Sequence, residues 1–94
     1  MAQQKVIQLT AFVTDALAAL EGRFPGSEVD AEPIDGGKQG NYRLAIVYGP
    51  FEEMDVMSRQ DLVWPVVEET LEPDDRLHIL SILTLSPREL EGEE

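Results

Sequence analysis

Ninety-four residues form one domain over 1–94 with one modest core, since so short a chain buries only about two-thirds of its unfolded surface. There is no cysteine, which excludes disulfides, thiol catalysis and any cluster held by thiolates of this chain. The net charge of −12 is uneven: residues 1–50 hold six acids and four bases, residues 51–94 thirteen acids and three bases, a balance that repels nucleic acid and anionic membranes.

Met1-Ala2-Gln3-Gln4-Lys5 carries no basic-then-apolar leader, and no apolar run approaches the roughly 18 residues of a membrane span, so the expected location is cytoplasmic. Val6, Leu9, Phe12, Val13, Ala16, Leu17 and Leu20 recur at three- and four-residue steps and predict an amphipathic helix over 4–22. Gly22 stands where a left-handed C-cap belongs, Phe24 is expected to fold back on the core, and Pro25-Gly26 turns. Glu28 to Ile34 reads as a strand with Val29 and Ala31 on one face and acids on the other. Pro33 lacks an N–H, which places it at a strand edge or end. The turn formers Asp35–Asn41 connect it as a long-looped hairpin to a second strand, Tyr42–Tyr48. Tyr42, Leu44, Ile46 and Tyr48 share one face of that strand; Arg43, Ala45 and Val47 share the other.

Phe51 to Met57 is an acidic connector anchored by Phe51, Met54, Val56 and Met57. Ser58 is the expected cap of a second helix, with Asp61 near the positive end of its dipole and Leu62, Val63, Val66, Val67, Thr70 and Leu71 as its buried face. Pro65 predicts a kink or a late start, and Glu72-Pro73-Asp74-Asp75 ends the helix. Leu77 to Leu85 is apolar on both faces, as an interior strand is. Leu77, Ile79, Ser81, Leu83 and Leu85 alternate there with His78, Leu80, Ile82 and Thr84. A right-handed crossover would lay this strand parallel to one of the hairpin strands. Ser86-Pro87-Arg88-Glu89 spells a capping box with Pro at the first helical position, opening a short last helix before an acidic tail at 91–94. The order predicts an α+β domain, αββαβα, with a three-stranded mixed sheet and helices on one side.

Few residues offer chemistry. His78 is the single histidine and reads three ways: a packed or hydrogen-bonded core residue, a metal or cluster ligand, or an acid/base group without an identifiable partner. Gly37-Lys38-Gln39-Gly40 is a Gly-x-x-Gly, which in KH domains clamps a nucleotide backbone between two helices; here it joins two strands and reads first as a flexible hairpin loop, with the clamp as the lesser alternative. Arg59 is a candidate contact for a phosphate or an acidic partner, the alternative being a surface pair with Asp55 or Glu52. Trp64 is a candidate interface anchor or a half-core residue. The adjacent acids Glu52-Glu53, Glu68-Glu69 and Asp74-Asp75 do not face each other on a helix, and no nucleophile–base set, phosphate loop or zinc spacing occurs; a non-enzymatic role is expected.

Element order and spacing together resemble the BolA family. Phe51 follows the second strand, and eight residues later comes Arg59-Gln60-Asp61-Leu62-Val63-Trp64, similar to the family's Arg-His-Arg group and Leu-Val-Tyr helix. Leu71, the strand His78-Ile79-Leu80-Ser81-Ile82 and the end Ser86-Pro87-Arg88-Glu89 fit in turn, so the similarity spans about residues 40–90. The resemblance implies a fold like a type II KH domain and a role in stress response and iron handling. It implies a monothiol glutaredoxin as protein partner, with a 2Fe–2S cluster shared through the strand histidine, here His78, and a second His or Cys from the first hairpin loop. That loop, Asp35–Asn41, holds neither, so the second ligand is missing and no cofactor is expected on the isolated chain. Some BolA-like proteins are DNA-binding regulators; Asp61 stands where the family has its second basic residue, against that role here. A third reading is an acidic scaffold or dimerisation domain that has lost cluster binding. The chain is expected as a monomer or weak homodimer, with Gly37, Lys38, Gly40, Arg59 and Trp64 as candidate contacts beside His78.

Overall fold

The computed structural model describes residues 11–37 and 39–92. Helix α1 (Ala11–Arg23) leads to strand β1 (Glu28–Pro33), a 3-10 turn at Ile34–Gly37 and strand β2 (Tyr42–Val47). A second 3-10 turn, Gly49–Glu53, precedes helix α2 (Val56–Thr70); the short helix α3 (Pro73–Arg76), strand β3 (Ile79–Leu85) and the short helix α4 (Pro87–Leu90) follow. The sheet order is β1-β2-β3, with β1 antiparallel and β3 parallel to β2. The α+β, three-stranded mixed sheet expected from the sequence is present. Helices α1 and α2 pack against each other and against one sheet face, enclosing Val13, Ala16, Leu20, Leu44, Ile46, Phe51, Val63 and Val67, all fully buried. No helix among the described residues is long and apolar enough to cross a membrane.

Helix α1 buries the stripe its spacing predicts. Its expected first turns, from residue 4, lie outside the described residues. The helix runs through Gly22 to Arg23, so Gly22 is not the left-handed cap; that conformation falls at Gly26, with φ 87°, in the turn after Phe24. Phe24 itself folds back, its N–H donating to the Leu20 carbonyl at 2.9 Å. Its ring joins Tyr48 and Phe51 in a cluster with centroid separations of 5.2 to 6.4 Å. Edge-to-face stacking of that kind adds about 1 kcal/mol per pair beyond the burial itself.

Several expectations for the second half are corrected, among them Leu62, 44% exposed, and Thr70, also exposed, which are not part of the buried face of α2. Helix α2 is capped by Asp55, whose carboxylate accepts the Ser58 N–H at 2.8 Å; Ser58 is the capped donor, three residues into the structure it was expected to begin. The earlier start leaves Val56 and Met57 on the solvent side, 60% and 74% exposed, so neither is a core anchor; Met54 does pack on the core. The helix then passes through Pro65 instead of starting late. Proline deletes the bond to the carbonyl four residues back. Here that carbonyl belongs to Asp61, and both Asp61 and Pro65 are exposed, so the bond is lost on the solvent side of the helix.

Strand β3 is an edge strand rather than an interior one, because the crossover through α2 places it beside β2 on the side away from β1. The register also slips. Tyr42 pairs with Ile79 but Arg43 pairs with Ser81, so Leu80 is an extra residue, a β-bulge. The bulge changes the phase of the strand. Ile79, Ile82 and Thr84 all face the helices and are buried, whereas strict alternation puts Ile79 on the other side. The last element forms as its sequence spells it: the Ser86 hydroxyl accepts the Glu89 N–H and the Glu89 carboxylate accepts the Ser86 N–H.

Candidate functional site

The parallel pairing of β2 and β3 brings the start of β3 against the end of the hairpin loop. The Tyr42 N–H donates to the His78 carbonyl at 2.8 Å, and the His78 N–H donates to the Asp75 carbonyl at 3.0 Å at the close of α3. His78 is therefore held by its backbone on both sides before its side chain is considered. The imidazole is half-buried, with Nδ1 2.9 Å from Asn41 Oδ1. An amide oxygen only accepts, so Nδ1 is the donor in this contact. Nε2 has no hydrogen-bond partner among the described residues. An anchored Nδ1–H with the opposite nitrogen free is the arrangement by which a protein orients an imidazole toward a ligand. Phe12 of α1 lies against the ring at a centroid distance of 6.0 Å and stacks edge-on to Tyr42, which seals the inner side.

The loop around this histidine is backbone-shaped. Asp35 and Gly36 both have positive φ, 58° and 64°, and Gly40 has φ 72°. A Cβ on Gly40 would lie 3.8 Å from His78 Nδ1, an ordinary contact, so space does not demand glycine there; the left-handed backbone does. Leu77 and Leu80 flank the histidine and are 73% and 53% exposed. Leu80 is turned outward by the bulge.

The candidate residues of the sequence divide. Gly40 lies beside His78; Gly37 closes the 3-10 turn of the same loop, and Lys38 is outside the described residues. Trp64 is half-buried against the core, its indole N–H donating to Gln60 Oε1 at 2.7 Å, which matches the half-core alternative. Arg59 lies at the far end of β3 and is 4% exposed. Its Nε donates to the Met54 carbonyl, Nη1 to the Thr84 carbonyl and Glu89, and Nη2 to the Phe51 carbonyl and Glu89, at 2.7 to 3.2 Å. All five donors are spent, and the guanidinium sits 5.5 Å from the Phe51 ring centre. Neither a surface pair with Asp55 or Glu52 nor a free phosphate contact describes it. Its hydrogen bonds, followed by the Ser86 N–H, hold the Glu89 carboxyl below the usual glutamate range. Asp55 is likewise lowered, by its bonds from Ser58 and then by Arg59.

This shape compares directly with solved structures. The chain is similar to the BolA domain of SufE1 from Arabidopsis thaliana, with a TM-score of 0.68 and 23% sequence identity, over 87% of this chain and 99% of that one. The fold is BolA-like. No family model and no curated protein matches the sequence. In this BolA-like frame Asn41, Gln60 and Glu89 are the residues that sequence reasoning missed. Asn41 was findable, since parallel pairing of Tyr42 with Ile79 sets it opposite His78. The donor set also tests a shared cluster. A 2Fe–2S centre takes thiolate or imidazole. The chain has one histidine and no cysteine, and the loop's Asn41 is already engaged by His78. A pair of ligands from this chain does not fit; a single imidazole does. No group of three or more acids and histidines suited to a metal ion occurs among the described residues.

Proposed function

We propose that this BolA-like domain is a non-enzymatic interaction module that docks a partner protein, of the monothiol glutaredoxin class, at the His78 end of its sheet, in iron–sulfur and stress physiology. The observation that carries this reading is the oriented imidazole: Nδ1 is tied to Asn41, Nε2 has no hydrogen-bond partner among the described residues, and the neighbouring Leu77 and Leu80 are exposed. Apolar anchors around one directed polar group are the usual content of a protein interface centre. His78 supplies one donor at most, so the partner brings the rest of any shared site. The KH-like nucleic-acid alternative loses Arg59, which is consumed internally, and faces a net charge of −12.

Titration of the 15N-labelled domain with a monothiol glutaredoxin, without and with its cluster, tests the proposal. Amide shifts are expected around Gly40, Leu77, His78 and Leu80 in both cases. With the cluster-loaded partner, visible circular dichroism should change for the wild type and not for His78→Ala. Absence of binding by either form of the partner defeats the reading, and binding that maps to another face relocates it.

A further inference from the structure

The sheet face turned away from α1 and α2 has a chemical pattern that the His78 site does not use. Across the register, Glu28 stands beside Val47 and Leu85, and Asp30 beside Ala45 and Leu83. One column of this face, along edge strand β1, is therefore acidic: Glu28, Asp30 and Glu32, all exposed. Glu32 pairs with Arg43 at 3.7 Å; Glu28 and Asp30 have no ion pair among the described residues. The neighbouring band over β2 and β3 is apolar in the two rows beside Glu28 and Asp30, with Leu83 49% exposed and Leu90 of α4 closing its end at 56%; the third row, Arg43 and Ser81, is polar. A parallel strand pair is normally covered on both faces, while an antiparallel edge tolerates water. The apolar band lies over the parallel pair and the acids over the antiparallel edge.

We propose that this open face docks an amphipathic helix of a partner protein that carries a row of Lys or Arg beside its apolar stripe. Dimensions support the match. Two strands spaced about 5 Å apart carry a band close to the roughly 10 Å width of one helix. Alternate residues on β1 recur about every 7 Å, and helix positions i and i+4 recur about every 6 Å along the axis. Basic residues at i and i+4 thus follow the unpaired acids Glu28 and Asp30, and one at i+8 reaches Glu32 only in competition with Arg43. A second copy of this chain is the wrong occupant on charge, since it brings the same acids and a further net charge of −12. This inference uses residues remote from His78 and stands whether or not a glutaredoxin binds there.

The test uses two synthetic helical peptides with one leucine stripe, flanked in one by lysines at i, i+4 and i+8 and in the other by glutamates. Fluorescence anisotropy is expected to show binding of the lysine peptide only, weakened about tenfold in half-molar salt. Amide shifts should fall on Ala45, Val47 and Leu83. Leu83→Glu should abolish binding. The double reversal Glu28→Lys with Asp30→Lys, at exposed positions that leave the fold intact by circular dichroism, should transfer preference to the glutamate peptide. Equal binding of both peptides, no binding of either, shifts on the helical face, or light scattering showing that the face is covered by a homodimer would each overturn the proposal.

Discussion

A guanidinium with five donors inside a small core ties together four parts of the chain at once. Arg59 reaches the turn at Phe51 and Met54, the end of β3 at Thr84 and the last helix at Glu89. Arg59→Ala would leave three carbonyls without their donor, and at about 1 kcal/mol each the loss is about 3 kcal/mol of stability, measurable by urea unfolding. Arg59→Lys should recover only part of it, because an ammonium lacks the planar fork. The same contact sets an acid limit. Glu89 titrates below its ordinary value of 4.5 in the folded chain, so its contribution is complete above pH 4.5 and is lost as pH falls through the lowered value. Asp55 adds to this below 3.8. An acid titration followed by the fluorescence of Trp64, the single tryptophan, should show an earlier and less pH-dependent stability for Glu89→Gln.

At the level of elements, helix α2 carries the clearest stored cost. Its proline sits in the interior on the solvent face, so Pro65→Ala restores the bond to Asp61 and should raise stability by about 1 kcal/mol or more, read as an upward shift in melting temperature. What was legible in the sequence follows from range. The α4 box was read correctly because its four residues are contiguous and its chemistry is local. The strands and helices were read from their periodicity. The start of α2 was misread because Asp55 and Ser58 are both good caps three residues apart, and only the fold chooses between them. The bulge at Leu80 was illegible, since an added residue in an apolar strand leaves no mark in residue type. His78 was legible as a candidate, but its orientation depends on Asn41, a partner 37 positions away.

For the whole molecule, charge is the dominant unbalanced quantity. Thirteen of the acids lie in residues 51–94 against three bases, and self-repulsion of that kind opposes the compact state. Moderate salt should therefore raise the urea midpoint of the wild type, an effect smaller in the Glu28→Lys, Asp30→Lys double variant. The buried Arg59 bonds are screened less than surface charges and should not offset this gain. The two proposed docking surfaces lie apart on the molecule: the His78 end of the sheet, and the open face with its acidic margin.

The Arg59–Glu89 contact also has a consequence for synthesis. The two residues are 30 positions apart, and a ribosome adding about 5–20 residues per second separates their appearance by roughly two to six seconds. Throughout that interval the emerging chain holds a cation whose final partner does not yet exist, and strand β3 is still being made. The Arg59 network thus closes only once α4 has been made, so this part of the core waits for the last element of the domain instead of forming as each element emerges.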